Sequence, residues 1–476
     1  MPRPGTDVFM LDTPGTVSIP TDTGTWFAAG LSDRGPQAPR LILSLNQFVQ
    51  VYGSRQSYSV LYDAIEEFFR EGGNRVYIGR VCGPGATIGT LNLLDAGAAV
   101  SLAASAKGPG AWSATYYVAV YVGTGGFGIQ VLDPNSVVVE DSGILANQAS
   151  AVQWSTSSNF INLTVGASLN NPAAMAATHL SAGNDDKSNI TDNEWQAAIN
   201  TFTSDLGPGQ VSAPGQTSVT RHSQLVAAAA AMNRVALLDL VDSNNVGTLT
   251  GNLPVYSQST RFAAAFAPWV VIPGTTSAST RVVPPSCMIA GMIAGNDPTL
   301  GVDSASAGGA GISNYAIGLS QASFTDANRA SLNGAGINVI RSMQGEIKNY
   351  GWRSLANPVT DQTWIDFGNS RLFCGLSAEF DDIGESYVFQ DLNPNVIDNF
   401  HNDLAAALLI HYNQGDLYGA TPDQAFVVDT SGAVNTPQTI ANLELHAVVQ
   451  VKMTPFAEWI EIQVVKRQIS DVLVAA

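Results

Sequence analysis

The chain has 476 residues, 45% of them hydrophobic and 13% charged, which is too apolar for a disordered chain and too long for one hydrophobic core, so two or more domains are expected. Its formal net charge of −18 excludes the basic footprint that nucleic acid requires and disfavours an anionic membrane surface. The cysteines, Cys82, Cys287 and Cys374, are three in number, far apart and outside any CxxC, so neither a disulfide framework nor a structural zinc site is expected.

Residues 1–20 read as an extended arm, because Pro2, Pro4, Pro14 and Pro20 deny regular structure. The opening MPRPGTD lacks the charged and apolar regions of a signal peptide. Strand-like runs follow at Trp26–Leu31 and Arg40–Leu45. Leu61, Ile65, Phe68 and Phe69 recur at helical spacing, Gly72-Gly73 stops that helix, and Val76 to Val81 reads as a strand. From 84 to 185 the composition shifts to Ala, Ser, Gly and β-branched residues. Short strands are expected at Tyr116–Val122, Gly128–Leu132, Ser136–Val139 and Phe160–Val165.

From 186 to 345 helix and strand patterns alternate, with helices at Trp195–Phe202 and Leu225–Ala231, a buried strand at Val235–Leu240 and an apolar run at Ala263–Ile272. The Leu225–Val241 stretch is the most apolar, but Asn233, Arg234 and Asp239 interrupt it, so no bilayer span is expected. Further strands are read at Ile337–Ser342, Tyr350–Leu355, Leu372–Phe380, Gln424–Asp429 and Leu443–Met453. Among them lies a strong helix, capped by Asn393, opened by Pro394 and closed by Gly415, with Phe400, Leu404, Leu408 and His411 on one face. After Pro455 a last strand is read at Trp459–Lys466.

The motifs for small-molecule chemistry are weak. GTGGFG at 123–128 matches GxGxxG, but IQVLDPN follows where a dinucleotide site requires a helix, so a Gly-rich hairpin is the better reading. No GxxxxGK[ST], GxSxG, HExxH or EF-hand loop occurs, and the five histidines form no i, i+4 pair. Of His401 and His411, on one predicted helix, one is expected at the surface and the other in the core. Glu379, Asp381, Asp382 and Glu385 read as a solvated loop leaving a strand rather than a glycosidase acid pair. Neither catalysis nor a cofactor is expected. The less ordinary feature is larger: from Leu372 to Val451 there are eleven acids and no Lys or Arg. Such a surface is stable when solvated or when it meets a cationic partner.

Five blocks, in order and spanning nearly the whole chain, resemble the contractile tail sheath family of myophages and related injection systems. SYSVLYDAIEEFFREGGNRVYIGRV at 57–81 is similar to the family's N-terminal block, and SAKGPGAWSATYYVAVYV at 105–122 to the opening of its variable insertion. VVPPSCMIAGMIAGNDPTLGV at 282–302 resembles its Pro-Pro-Ser block. INVIRSMQGEIKNYGWRSLA at 337–356 resembles its Asn-x-Ile-Arg and Trp-x-Arg-Ser/Thr-Leu strands, and FHNDLAAALLIHYNQGDLYGATPDQAFVV at 400–428 its late helix and following strand. The chain departs from the pattern in DSASAGG at 303–309, where the family often has Lys-Ala-Pro-Ala, and in lacking Arg or Lys near the late helix.

The resemblance implies a structural subunit of α/β multidomain fold. It polymerises as stacked rings around a tail tube and contracts, after a baseplate trigger, to drive the tube through a host envelope for genome delivery. Partners would be further copies of the chain, the tube protein, and baseplate and tail terminator proteins, with assembly in the host cytoplasm and residence in the virion. A phage-like bacterial injection system is the alternative, and a nucleotide-binding enzyme a weaker one. The expected organisation is an inner core from 21–87 and 337–455, a middle α/β domain at 186–336, a β-rich outward insertion at 88–185, and arms at 1–20 and 456–476. Val8, Val17, Ile19, Trp459, Ile460, Ile462 and Val464 are assigned to inter-subunit strand addition, and Asp398, Asp403 and Asp416 to a face turned toward the tube.

Overall fold

The computed structural model describes residues 22–276, 278–458 and 460–461. Val8, Val17, Ile19, Trp459, Ile462 and Val464 lie outside the described residues, as does most of the expected strand at 459–466. Ile460 is exposed and belongs to no strand.

The chain enters through β1 (Trp26–Gly30), buried throughout. β2 (Arg40–Ile42) follows, then α1 (Leu45–Tyr52), capped by the Ser44 hydroxyl, which accepts from the Gln47 amide. α2 (Leu61–Glu71) buries Leu61, Ala64, Ile65 and Phe68 and stops at Gly72, whose φ of 117° only glycine adopts without strain. β3 (Val76–Arg80) returns parallel to β1, with Trp26 opposite Val76. The helix, its stop and its strand form as the spacing predicts.

Between Thr90 and His179 the chain builds two antiparallel sheets of its own. They use β4 (Thr90–Leu94), β5 (Val100–Ala106), β6 (Tyr117–Gly123), β7 (Gly126–Leu132), β8 (Val138–Asp141), α3 (Gln148–Ser157), β9 (Ile161–Val165) and β10 (Met175–His179). The orders are β10-β6-β7-β8 and β4-β5-β9, closed on a core that includes Leu102, Trp112, Val118, Phe127 and Ile129. GTGGFG is the head of the β6–β7 hairpin, Gly123 paired with Gly126, and a strand follows it where a dinucleotide site needs a helix. Arg80 fastens this unit to the body. Its buried guanidinium donates to the carbonyls of Gly35 (2.9 Å), Pro109 (2.7 Å), Ser32 and Asp33.

The next stretch contains α4 (Asp192–Asn200), β11 (Gln210–Ser212), α5 (Val219–Ala231), β12 (Val235–Asp239), α6 (Val246–Thr250), β13 (Ala263–Ala267), β14 (Val270–Pro273) and β15 (Thr280–Val283). It continues with α7 (Pro285–Leu300), β16 (Gly318–Leu319), α8 (Asp326–Gly334), β17 (Ile337–Met343) and β18 (Glu346–Asn349). One eight-stranded sheet runs β18-β17-β13-β12-β11-β1-β3-β2, parallel in its interior and antiparallel at both edges. This corrects the expected division of 21–87 from 186–336, because strands from both, and from 337–349, share that sheet. β1 alternates its faces as a strand must: Trp26 and Ala28 pack toward α2 and α7, Phe27 and Ala29 toward α4 and α5. Gly291 lets α7 approach α2, since a Cβ there would lie 2.6 Å from the Phe68 carbonyl oxygen.

Two strand expectations are corrected, and one expected apolar run holds two strands. The Ala263–Ile272 run divides into β13 and β14, which belong to different sheets. Tyr350–Leu355 forms no ladder of its own; Asn338 holds it through its amide, which accepts from Arg353 N (2.7 Å) and donates to Arg353 O (2.8 Å). Leu372–Phe380 lies within a helix, α9 (Phe367–Glu385). Leu372, Leu376 and Phe380 recur every four residues, so the same apolar run satisfies a helix.

The chain ends in α10 (Pro394–Gln414), α11 (Pro422–Ala425), β19 (Phe426–Asp429), α12 (Pro437–Ala441) and β20 (Val448–Val451). Asn393, Pro394 and Gly415 bound α10 as expected. Leu372, Leu376, Leu404, Leu408, Leu417 and Val428 form a small core apart from the large sheet. Among the described residues no helix is long and apolar enough to cross a membrane.

Candidate functional site

β19 and β20 pair antiparallel, Phe426 opposite Val451 and Val428 opposite Val449, into a sheet of two strands. Alternation places Val428 against α10 and leaves Val427 exposed. Among the described residues no third strand joins either edge, and just beyond β20 a single bridge sets Leu417 opposite Met453. A groove of about 680 Å³ lies beside β19, lined by His401, Ala405, Leu409, Phe426 and Val427. Another of about 770 Å³ lies beside the end of β20, lined by Trp364, Phe373, Val451, Met453 and Phe456. Two strands are marginal alone, and this pair depends on α10 beneath it. The arrangement suits the addition of extended segments: backbone pairing at an edge, with apolar side chains received in the adjoining groove.

The segments leading to both chain ends are anchored nearby. Thr23 donates through its hydroxyl to Asp297 Oδ2 (2.7 Å), and its carbonyl accepts from Gln210 Nε2. Asp297 pairs with the buried Arg371 (2.5 Å), whose other nitrogen, Nη1, donates to the Val302 carbonyl (2.7 Å). At the other end, Thr454 N donates to the Asp416 carbonyl (3.0 Å) and Thr454 Oγ1 to the Gly415 carbonyl (2.7 Å). Glu458 reaches back to Arg353 and to Asn333 Nδ2 (2.9 Å).

The acids assigned to a tube-facing surface separate. Asp398 and Asp403 are exposed on α10, with Asp403 accepting from the Tyr387 hydroxyl. Asp416 does not join them. It follows the Gly415 cap, turns inward, is 1% exposed and holds His411 Nδ1 at 2.6 Å. His411 Nε2 meets Glu379 at 3.1 Å. Burial lowers the His411 pKa, but the hydrogen bonds to Asp416 and Glu379 outweigh it and lift the imidazole to about 9. The Glu379–Glu385 acids lie on the last turns of α9, not on a loop. Sequence spacing could not reveal this triad, because Glu379 is on a different helix from His411. His401 is half-buried, its Nδ1 3.4 Å from the Thr430 hydroxyl, so neither imidazole is free at the surface.

No family model and no curated protein sequence matches the chain. Solved structures do. A chain of the anti-feeding prophage helical sheath in its contracted state is 17% identical, with a TM-score of 0.59 over 98% of this chain and 99% of that one. The sheath complex of the extracellular contractile injection system PVC, also contracted, is 15% identical, with a TM-score of 0.56 over 98% of each. A sheath tail protein from Listeria innocua is 12% identical, with a TM-score of 0.61 over 91% of this chain and 95% of that one. The chain has the α/β multidomain fold of these sheath proteins along nearly its full length.

Proposed function

We propose, on the premise that a chain sharing the sheath fold from end to end is itself a sheath subunit, that this protein polymerises as stacked rings around a tail tube and shortens to drive the tube through a cell envelope. The observation that carries the reading is the two-stranded sheet β19–β20, which no third strand joins among the described residues, beside a chain that supplies Pro-rich residues 1–20 and a strand-like sequence after Pro455. An arm paired through backbone hydrogen bonds keeps its link while subunits rotate, because the bonds follow the strand rather than a fixed set of side chains. Work would come from packing differences between two states of the polymer. Partners are further copies of the chain, the tube, and the baseplate and terminator proteins that bound the tail. Negative-stain electron microscopy of the concentrated chain is expected to show hollow tubes; dispersed particles at every concentration would overturn the reading.

The destination of the tube divides two readings. In a phage tail the tube delivers a genome. The matched sheaths include those of the anti-feeding prophage and of the PVC injection system as well as a sheath tail protein from Listeria innocua, so a phage-like injection system stands as the alternative to a phage tail.

Asp398 and Asp403 are proposed to meet Lys or Arg of the tube. The stretch from Leu372 to Val451 offers no cation of its own beyond histidine. Exposed ion pairs are individually weak, but a helical array repeats them in every subunit. Changing both to Asn is expected to reduce co-assembly with the tube at low salt severalfold, leave empty tubes unaffected, and be mimicked by high salt. Co-sedimentation unchanged at low salt would reject the contact.

A further inference from the structure

The root of the C-terminal segment sits against a cluster of acids that assembly alone does not explain. Asp416 is 1% exposed, and one oxygen is held by His411, but its Oδ1 is buried without a conventional donor. Asp303 lies beside it. A methyl group placed on Gly301 would be 2.6 Å from Asp416 Oδ1 and 3.4 Å from Asp303 Oδ1, so the two carboxyl groups flank one point. Asp416 is buried and Asp303 half-buried, and two carboxylates so placed cannot both be ionised cheaply. A proton on Asp303 supplies the donor that Asp416 Oδ1 lacks. A cavity of about 240 Å³ adjoins the pair, lined by Asp303, Asp366, Gly415, Thr454, Pro455 and Phe456. Asp416 also carries the carbonyl that accepts from Thr454 N, and Asp366 accepts from the Phe456 amide.

We propose that Asp303 and Asp416, sharing one proton and braced by His411, form a latch that keeps the Thr454–Phe456 root docked, and that loss of the proton releases it. The step is a simple transfer: the Asp303 O–H proton passes to solvent base, leaving two carboxylates facing each other and Asp416 Oδ1 without a donor. Other charged groups around the pair do not supply a substitute cation. On α9, Arg371 is engaged by Asp297 and the Val302 carbonyl, Glu379 by His411, and Asp366 caps the helix. On the C-terminal segment, Glu458 is held by Arg353, and Lys452 lines the groove beside β20.

Burial, then the hydrogen bond and charge of Asp416, push the Asp303 pKa from 3.8 to about 8. Between those values the folded chain holds a proton that the unfolded chain has lost, so the latch weakens as pH rises and is open above about 8. His411, lifted from 6.5 to about 9, keeps its charge until about pH 9, its stabilising contribution falls between those two values, and its bracing therefore weakens in the same direction. Burial raises Asp366 to about 7, so it adds a further negative charge to the opened site.

The latch is a property of the free subunit, and it is tested without polymerisation, so it stands or falls apart from the sheath reading that gives it a purpose. Amide hydrogen exchange on the full chain at about pH 6 and about pH 9.5, with labelling times scaled for intrinsic rates, is expected to show Thr454 protection falling about tenfold. Asp303→Asn, which is neutral at both pH values and still donates, is expected to stay protected at both. Asp391→Asn, at an exposed acid ahead of α10, is expected to behave as wild type. Equal wild-type protection at the two pH values overturns the proposal, as does a full loss that persists in Asp303→Asn. If the Asn variant fails to fold, the wild-type comparison decides alone.

Discussion

Removing residues 1–21 or residues 459–476 is expected to abolish tubes and leave a folded subunit. Every described strand of the large sheet and its two helical layers lies from Asp22 onward, and the Arg353–Glu458 pair survives a cut after Glu458. Neither deletion therefore removes a described core residue, and circular dichroism and melting should match the full chain. What is lost is the material that could extend β19 and β20. A two-stranded sheet gains most from an added strand, because each new backbone pair satisfies groups otherwise left to water. Sedimentation gives the readout: tubes pellet from the full chain and from neither truncation. Normal tubes from both would show that the rings are joined by surfaces other than the arms.

Arg371→Ala is expected to destabilise the chain by about 3–5 kcal/mol, the usual cost of removing one partner from a buried ion pair. The Arg371 side chain is 1% exposed and that of Asp297 is 8% exposed. Burial holds the Asp297 carboxyl above its ordinary range even with the arginine present. Without it, the carboxylate is stranded in a dry site and the Val302 carbonyl loses its donor. The loss should shrink in acid, because protonated Asp297 needs no cation: a carboxyl raised in the folded state stabilises it at low pH and costs stability as pH rises. Urea midpoints at about pH 5 and about pH 7 measure both effects. Arg371→Leu combined with Asp297→Asn should recover much of the difference, since no uncompensated charge remains. Equal midpoints for Arg371→Ala and wild type at neutral pH would show that the pair carries no stability.

Local features were legible in the sequence, and long-range ones were not. The α2–Gly72–β3 unit and the caps of α10 follow from residues within a few positions of one another, so spacing and φ preference suffice. The hairpin at 123–128 was legible for the same reason. The sheet order was hidden, because Trp26 of β1 lies opposite Gln210 of β11, and no local pattern encodes that partner. The division of 21–87 and 337–455 from 186–336 failed for that cause: the insertion at 90–179 interrupts one sheet rather than separating two. α9 was misread because a four-residue apolar recurrence in a short window also passes for a strand. In the candidate site, the open pair β19–β20 was visible as two strands, but not that they pair with each other and stand apart from the large sheet. Asp416 was grouped with Asp398 and Asp403 by charge alone, and only its position after Gly415 hinted that it turns inward.

The attachment of the 90–179 unit bears on how such a chain can change over generations. Arg34 and Arg40 reach side chains in it, Tyr116 and Asn159. Arg80 instead joins a main-chain oxygen of the unit, that of Pro109, to those of Ser32, Asp33 and Gly35 in the body, and every residue possesses such an oxygen. A clamp of that kind imposes a path on the chain without dictating its spelling. The unit can drift, or be traded for another of the same entry and exit, while the body that holds it stays as it is.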